Sequence, residues 1–523
     1  MKIRESIENT IDKAVGVLSP IRGNKRLAAR VRQRAFNSGY GNYGASESKA
    51  GMKGWLSNGG SADEDIQEHL EIIRERSRDL YMGVPLATGA LKTMRTNVVG
   101  SGLALKSQID YTFLGISEEQ AQEIENTIER EFALWCDPEG CDIERTDNFF
   151  NLQQLAFLNW LMSGDVFVLL PTTERVNMPY DIRVQLVEAD LISDPPEKGN
   201  RNIVGGVELN RHGEVFAYHI LNKHPLATES EGTKQERWKR VKAFGEITGR
   251  RNVIHIMNRE RIGQRRGVPF LAPVIETIKQ LGRYTEAEIM AAVVSGMFAV
   301  FIEKKGISSD DPVGAVVPEE QQIDAGNPNT LEVAPGVIID LNEGEEAKSV
   351  SPGRPNSNFD GFVVAVLRQI GAALEIPHEV LVKDFDRSYS ASRAALLELW
   401  KSVKMYRGWM ASSFCQPIFE EWLAEAVAKG RINAPGFFGD PAIRKAYSGA
   451  EWNGPAQGSL NPIHDVTAAQ MRVNNGFSTR DREAQELTGS DFYKNVQQRK
   501  REEELMKEVR GIESDTKQPT EYK

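Results

Sequence analysis

Residues 359–409 read FDGFVVAVLRQIGAALEIPHEVLVKDFDRSYSASRAALLELWKSVKMYRGW, and this stretch decides the fold. Phe359, Phe362, Val363, Val366, Leu367, Ile370 and Leu374 recur at the three- and four-residue intervals of one buried helical face. Pro377 ends that helix, because the residue before a proline is driven out of the α region. A polar loop runs from Lys383 to Ser392, and a long second helix follows. The linking segment 379–391 carries Lys383, Asp384, Asp386, Arg387, Ser388 and Tyr389. So many charges in one short loop cannot be buried unpaired, so the loop faces water or a polar ligand.

Upstream, residues 296–355 alternate short strand-like runs, MFAVFIE, GVIIDL and EAKSVSP, with loops. Eleven Asp/Glu stand against three Lys/Arg between Glu303 and Lys348, so much of the chain's excess negative charge sits in one module between two helices. Before it, a helix is expected from about Pro269 to Ser295. The run Ile289–Ile302 is the most apolar of the chain, yet it is too short to span a bilayer. It reads as the end of a buried helix passing into a buried strand.

From Asp165 to Met257 the period shortens to that of strands: VFVLLP, IRVQLVE, IVGGVELN, EVFAYHIL and VIHIM. A hairpin is expected around Asn210–Gly213, and the polar insertion Ala227–Gly249 is expected to interrupt the sheet. Helices are expected from about Ser61 to Met82 and over Glu118–Cys136 and Phe150–Ser163. Gly100-Ser-Gly102 lacks the third glycine of a dinucleotide fingerprint and reads as a turn before a strand at Leu103–Ser107. Downstream, the helix Ser392–Lys429 should bend near Pro417. A Gly/Pro-rich segment then leads to short helices between Ile463 and Arg510, and a polar tail, 511–523, is expected to be disordered.

The N-terminal arm, residues 1–60, opens with nine Lys/Arg and three acids up to Ala35, then turns Gly/Ser-rich. Phe36, Tyr40, Tyr43 and Trp55 suit stacking on nucleic acid or packing on a neighbouring subunit. The second is expected, since no repeated basic-aromatic motif accompanies them. Met1–Pro20 has no apolar core, so no secretory leader is expected.

The whole chain has 523 residues, 40% of them hydrophobic, and a formal charge of −10. That balance disfavours tight binding of duplex DNA over a broad surface, which rests on neutralising phosphates. Three cysteines, Cys136, Cys141 and Cys415, make no disulfide framework and no zinc quartet. There is no P-loop, no HExxH and no GxSxG. The pairs Asp310–Asp311 and Glu345–Glu346 could hold Mg²⁺ for a nuclease, but adjacent acids more often form a solvated face. No catalytic residue, cofactor or metal is therefore assigned. A metal-dependent nuclease acting on DNA is the alternative reading.

Several segments in their order resemble the lambda-type portal proteins of tailed bacteriophages. These are VPLATGALKTMRTNVVGSGL, EADLISDP at 188–195, GGVELNRHGEVFAYHIL, VIHIMNRERIGQRRGVPFLAPVIETI, the 359–409 stretch and TRDREAQELTGSD at 479–491. The resemblance covers about Arg30 to Arg510. It implies an α+β portal fold, with a mixed α/β wing (61–267), a two-helix stem (268–295 and 356–378) and a small α/β clip (296–355). A tunnel loop (379–391), a long wing helix with a wing return (392–461) and a helical crown (462–510) would follow. It further implies a cyclic homo-oligomer, a dodecamer, at one capsid vertex of the virion, made in the host cytoplasm and using no membrane. The implied partners are the terminase large subunit, the major capsid and scaffold proteins, a head-tail adaptor, and double-stranded DNA passing through the channel. Lys383, Asp384, Asp386, Arg387, Ser388 and Tyr389 would line that channel.

Overall fold

The computed structural model describes residues 59–199, 201–227, 237–297, 301–304, 345–348, 359–385, 389–458 and 461–515, together with Lys25. The aromatic arm residues, the acids Asp310 and Asp311 and the run GVIIDL lie outside them. The chain divides into two compact units, Met1–Ser61 and Ala62–Lys523. All the described strands belong to the second.

Helix α1 (Ala62–Gln67) places Asp63, Glu64 and Asp65 in its first turn, where the helix dipole favours acids. Helices α2 (Leu70–Gly83) and α3 (Pro85–Val98) follow, separated by the extended Val84. Gly100 and Gly102 turn the chain with φ of +57° and +119°, and β1 (Ala104–Ser107) begins, as the Gly-Ser-Gly reading expects. After the short α4 (Tyr111–Leu114) comes α5 (Glu118–Trp135). Its start is a reciprocal cap, in which Gln120 N–H donates to Ser117 Oγ and Ser117 N–H donates to Gln120 Oε1. A single turn, α6 (Pro138–Cys141), leads to α7 (Phe149–Ser163), capped by the Asn148 side chain.

Two antiparallel sheets follow. In the first, β2 (Asp165–Leu169) lies between β3 (Gln185–Val187) and β8 (Val253–Met257). The second runs in order through β4 (Asn202–Val204), β5 (Val207–Leu209), β6 (Val215–Leu221) and β7 (Trp238–Lys242). The expected hairpin is β5–β6: Asn210 Oδ1 accepts from the His212 and Glu214 amides, and Gly213 sits at φ +81°. The polar insertion does not interrupt this sheet. It supplies β7, which pairs along Ala217–Leu221. Lys239 faces water there, as suits an edge strand that must not pair with another chain, while Arg240 is held by Glu208 at 2.7 Å.

A 3₁₀ turn, Ala272–Val274, opens α8 (Ile275–Met297). Strands β9 (Phe301–Lys304) and β10 (Glu345–Lys348) pair antiparallel. The stretch of α8 ahead of its last residues is not buried: Ile289, Met290 and Val293 are 65%, 58% and 46% exposed, and the rest of the run to Ile302 lies outside the described side chains. Apolarity signalled a covered face, but none of the described residues covers these three side chains. Helix α9 (Phe359–Ala373) packs beside α8, with Tyr284 stacked on Phe359 at 5.6 Å. Then come α10 (His378–Val382), α11 (Tyr389–Met410), a π-helical turn at Ala411–Cys415, and α12 (Gln416–Ala428). The irregularity expected near Pro417 is thus this wider turn, just ahead of the proline. Helix α13 (Pro441–Tyr447) leads to β11 (Ala450–Asn453), which pairs antiparallel with β1. Three helices close the described chain: α14 (Pro462–Asn474), α15 (Arg480–Thr488) and α16 (Phe492–Asp515). The last runs helical through the first residues of the expected tail, as far as Asp515.

The main core joins α3, α5, α7, α11 and α12. Phe132, Trp135, Phe149, Phe419, Trp422 and Trp452 form an aromatic nest, with Phe132 edge-on to Trp422 at 4.9 Å. A smaller core of Phe167, Val187, Ile192, Val207, Tyr218, Ala243 and Val253 joins the two sheets.

Candidate functional site

The loop between α9 and α11 begins with a forced reversal. Ile376 N–H donates to Gly371 O at 2.9 Å, and Glu375 adopts φ +54°. A Cβ on Gly371 would lie 2.5 Å from Ile376 O, so only glycine permits the chain to fold back there. Pro377 then starts α10, which occupies the first residues of the segment expected as loop. Val380 and Leu381 are buried, and that anchoring makes these residues helical rather than extended. His378, beside Pro377, pairs its Nδ1 with Glu379 at 2.9 Å.

Lys383 ends α10 in the left-handed conformation, φ 58° and ψ 36°, with its amide donating to Glu379 O. The Asp384 amide reaches the same carbonyl at 2.9 Å. Lys383 and Asp384 are exposed, and so is Phe385. Lys383 and Phe385 line a groove of about 640 Å³ with Lys92, Thr96, Leu396 and Leu399. Asp386, Arg387 and Ser388 lie outside the described residues, and Tyr389 opens α11. Of the six loop residues singled out in the sequence, the structure thus places two side chains, both at the surface.

A second constellation lies below the two sheets. Asp165, wholly buried at the start of β2, accepts from Arg74 Nη2 at 2.7 Å and Arg266 Nε at 2.7 Å. His255 Nε2 stands 3.2 Å away, and the Gly267 amide donates at 3.0 Å. Arg266 also donates to Ile192 O, Gly205 O and Ala189 O, and Arg74 to Ser163 O. Asp190 extends the group through Arg78 and Arg74. Burial pushes the Asp165 carboxyl up, but the two guanidiniums and His255 outweigh it and hold the acid far below the usual carboxylate range. Burial brings Arg74 down to about 10 and lowers His255, which stays neutral and donates its Nε2 proton to Asp165.

The backbones beside this cluster touch. Gly164 has φ +89°, and a Cβ on Gly267 would lie 1.9 Å from Gly164 O. Both glycines are required where the approach to α8 crosses the end of α7. The cluster fixes α2, β2, the β4–β5 turn and the approach to α8 as one body, and its members Arg74, Arg78, Asp190 and Arg266 line a cavity of about 400 Å³. Sequence reasoning missed it. The available signals were an acid at the head of an apolar strand (SGDVFVLL) and an arginine before glycine (RRGVP).

The three cysteines are buried. Cys141 Sγ lies 3.3 Å from Cys136 O, and burial raises all three thiols. Among the described residues no group of three or more His, Cys, Asp or Glu is placed to hold a metal ion, and no helix is long and apolar enough to cross a membrane.

Residues 48–407 match the family described as phage portal protein, lambda family. The chain is 23% identical over 479 residues to portal protein B of Escherichia phage lambda, covering 86% of this chain and 87% of that one. It is 23% identical over 495 residues to the portal protein of Escherichia phage N15, covering 89% of each. Among solved structures it is similar to a chain from the neck of an empty GTA particle computed with C6 symmetry. The identity is 14% and the TM-score 0.46, over 83% of this chain and 95% of that one. A chain from the neck of a native GTA particle computed with C12 symmetry gives 13% and 0.42, over 80% and 92%.

Proposed function

From the premise that the chain belongs to the lambda family of phage portal proteins, we propose how its elements divide the work of a portal. The observation that carries the reading is the family match over residues 48–407, which spans α8, α9 and the loop after them. The protein is a head-tail connector component, structural rather than catalytic. In this reading twelve copies close into a ring at one capsid vertex. DNA enters through it under the terminase and later leaves through it, and capsid, scaffold and head-tail adaptor proteins dock on its outside.

Helices α8 and α9 make the stem, and residues 296–355 make the clip. The two sheets with α11 and α12 make the wing, and α14–α16 make the crown. The exposed Ile289, Met290 and Val293 on α8 and Phe362 on α9 support ring closure, since apolar faces the protomer leaves bare suit a heterologous contact between copies. The loop after α10 points its charges toward the axis, where Lys383 and Arg387 form a modest basic collar in an acidic bore. Such a bore does not hold DNA, because strong binding needs many Lys/Arg–phosphate contacts.

Native mass measurement and negative-stain imaging of the purified full chain test this. Closed rings of twelve are expected, with no ATP hydrolysis and no Mg²⁺-dependent cutting of DNA. A folded monomer or dimer, or cleavage lost in an Asp310→Ala/Asp311→Ala variant, would overturn it.

A further inference from the structure

The last three helices are attached to the body by charge more than by apolar packing. The main hydrophobic core takes in no residue beyond Trp452. Among the described side chains of α14–α16, Ala469 and Glu483 alone are buried. Ile463, Val466, Met471, Phe477, Tyr493 and Leu505 are all exposed, Phe477 by 81%. A seam with so little apolar burial needs another source of attachment, and here it is ionic.

Lys106 of β1 lies 2.9 Å from Asp481 and 3.3 Å from Asp491, and its ammonium stands 4.9 Å over the Tyr493 ring. Arg393 and Lys404 of α11 reach Asp465 and Glu486, each at 3.2 Å. Lys494 reaches back to Glu129 of α5 at 3.1 Å. Three of these four cations belong to the body and one to the module, so the charges alternate across the seam. Within the module Arg472 holds Glu483 through two short bonds, at 2.8 Å and 2.6 Å, which keeps α14 and α15 together. A groove of about 870 Å³ runs along the seam, lined by Leu396, Trp400 and Trp452 on one side and Ala468 and Leu487 on the other. The covalent tie is the Gly/Pro-bearing strand exit Gly454–Gly458.

We propose that α14–α16 form an electrostatically latched module that swings off the body while the body stays folded, with Lys106 as the central pin. Ionic contacts at a surface weaken as salt rises, whereas apolar contacts do not, and the core beneath is apolar. The module therefore opens independently, and opening uncovers the seam groove with Trp400 and Trp452. This inference does not depend on the portal reading, since it concerns one chain.

Hydrogen exchange read by mass spectrometry on the purified full chain tests it. The salt conditions are about 0.1 M and about 1 M NaCl, where screening lengths are ~10 Å and ~3 Å. Amides of α14 and α15 should exchange about tenfold or more faster at the higher salt, while those of α12 and β2 stay unchanged, as local opening below the global transition requires. Lys106→Met should give the same acceleration at low salt. Arg499→Gln, which removes only the pair with Glu503 inside α16, should not. Protection of α14 and α15 that ignores both salt and Lys106→Met would overturn the proposal. So would module and body losing protection together.

Discussion

Replacing Asp165 with asparagine is the sharpest test of what holds the sheet-bearing part of the protein together. The substitution keeps the volume and removes the one charge shared by Arg74 and Arg266, which are 4% and 2% exposed. The two guanidiniums then remain buried without a shared counter-ion, and Asp190 is left to serve Arg74 at 3.7 Å while also holding Arg78. Breaking a buried pair in this way costs about 3–5 kcal/mol. With an unfolding entropy of about 2.1 cal/mol/K per residue over the roughly 460 residues from Ala62 to Lys523, that loss lowers Tm by about 3–5 °C. Arg74→Met added to Asp165→Asn removes one of the stranded charges, so the double variant should recover about 1–2 kcal/mol of the loss. Differential scanning calorimetry at fixed protein concentration measures both. A drop below about 1 °C for Asp165→Asn, the size expected of an ordinary surface change, would refute the cluster as a keystone. A double variant less stable than the single one would refute the charge argument.

Two further outcomes follow from the loop and from His255. Lys383→Glu with Arg387→Glu should leave ring assembly intact and reduce the DNA packaged or retained per capsid; packaging equal to the parent would sink the collar. Burial keeps the folded-state pKa of His255 below its unfolded value, so stability is full above about pH 6.5 and falls as the pH drops, because the unfolded chain then takes up a proton that the folded one refuses. His255→Gln should flatten the Tm change between pH 7 and pH 5, and an unchanged slope would count against it.

The elements whose signals are local were legible in the sequence. The β5–β6 hairpin announces itself in the ELNRHGE turn, α5 in the apolar spacing of Glu118–Cys136, and the end of α9 in Pro377. Strand β7 was not legible, because WKRVK is an edge strand whose charges mask its alternation. The Asp165 cluster was not legible either. Its arginines lie 91 and 101 residues away in sequence, and no periodicity encodes who meets whom at that range. The apolar end of α8 misled for a third reason: its composition says that a face is covered, not whether the cover is the same chain. Of the loop, the sequence located the charges, but Val380 and Leu381 fold its first residues into α10.

The π-helical turn at Ala411–Cys415 acts as a phase correction. Upstream of it, Leu399, Val403, Tyr406 and Met410 lie buried along one side of α11; within it Phe414, and downstream Ile418, Trp422 and Ala426 along α12, continue that side. In an uninterrupted α-helix each residue advances about 100° around the axis, so the downstream set would start out of line with the upstream one. The widened turn absorbs one residue without rotation, and the two stripes join into a single seam against the aromatic nest. Straightening that turn into regular α-helix with every residue kept would swing Phe419 and Trp422 away from Phe132 by about 100°, whereas deleting one residue from it would leave them in place. The integrity of this rod is thus a matter of angular bookkeeping as much as of helical propensity.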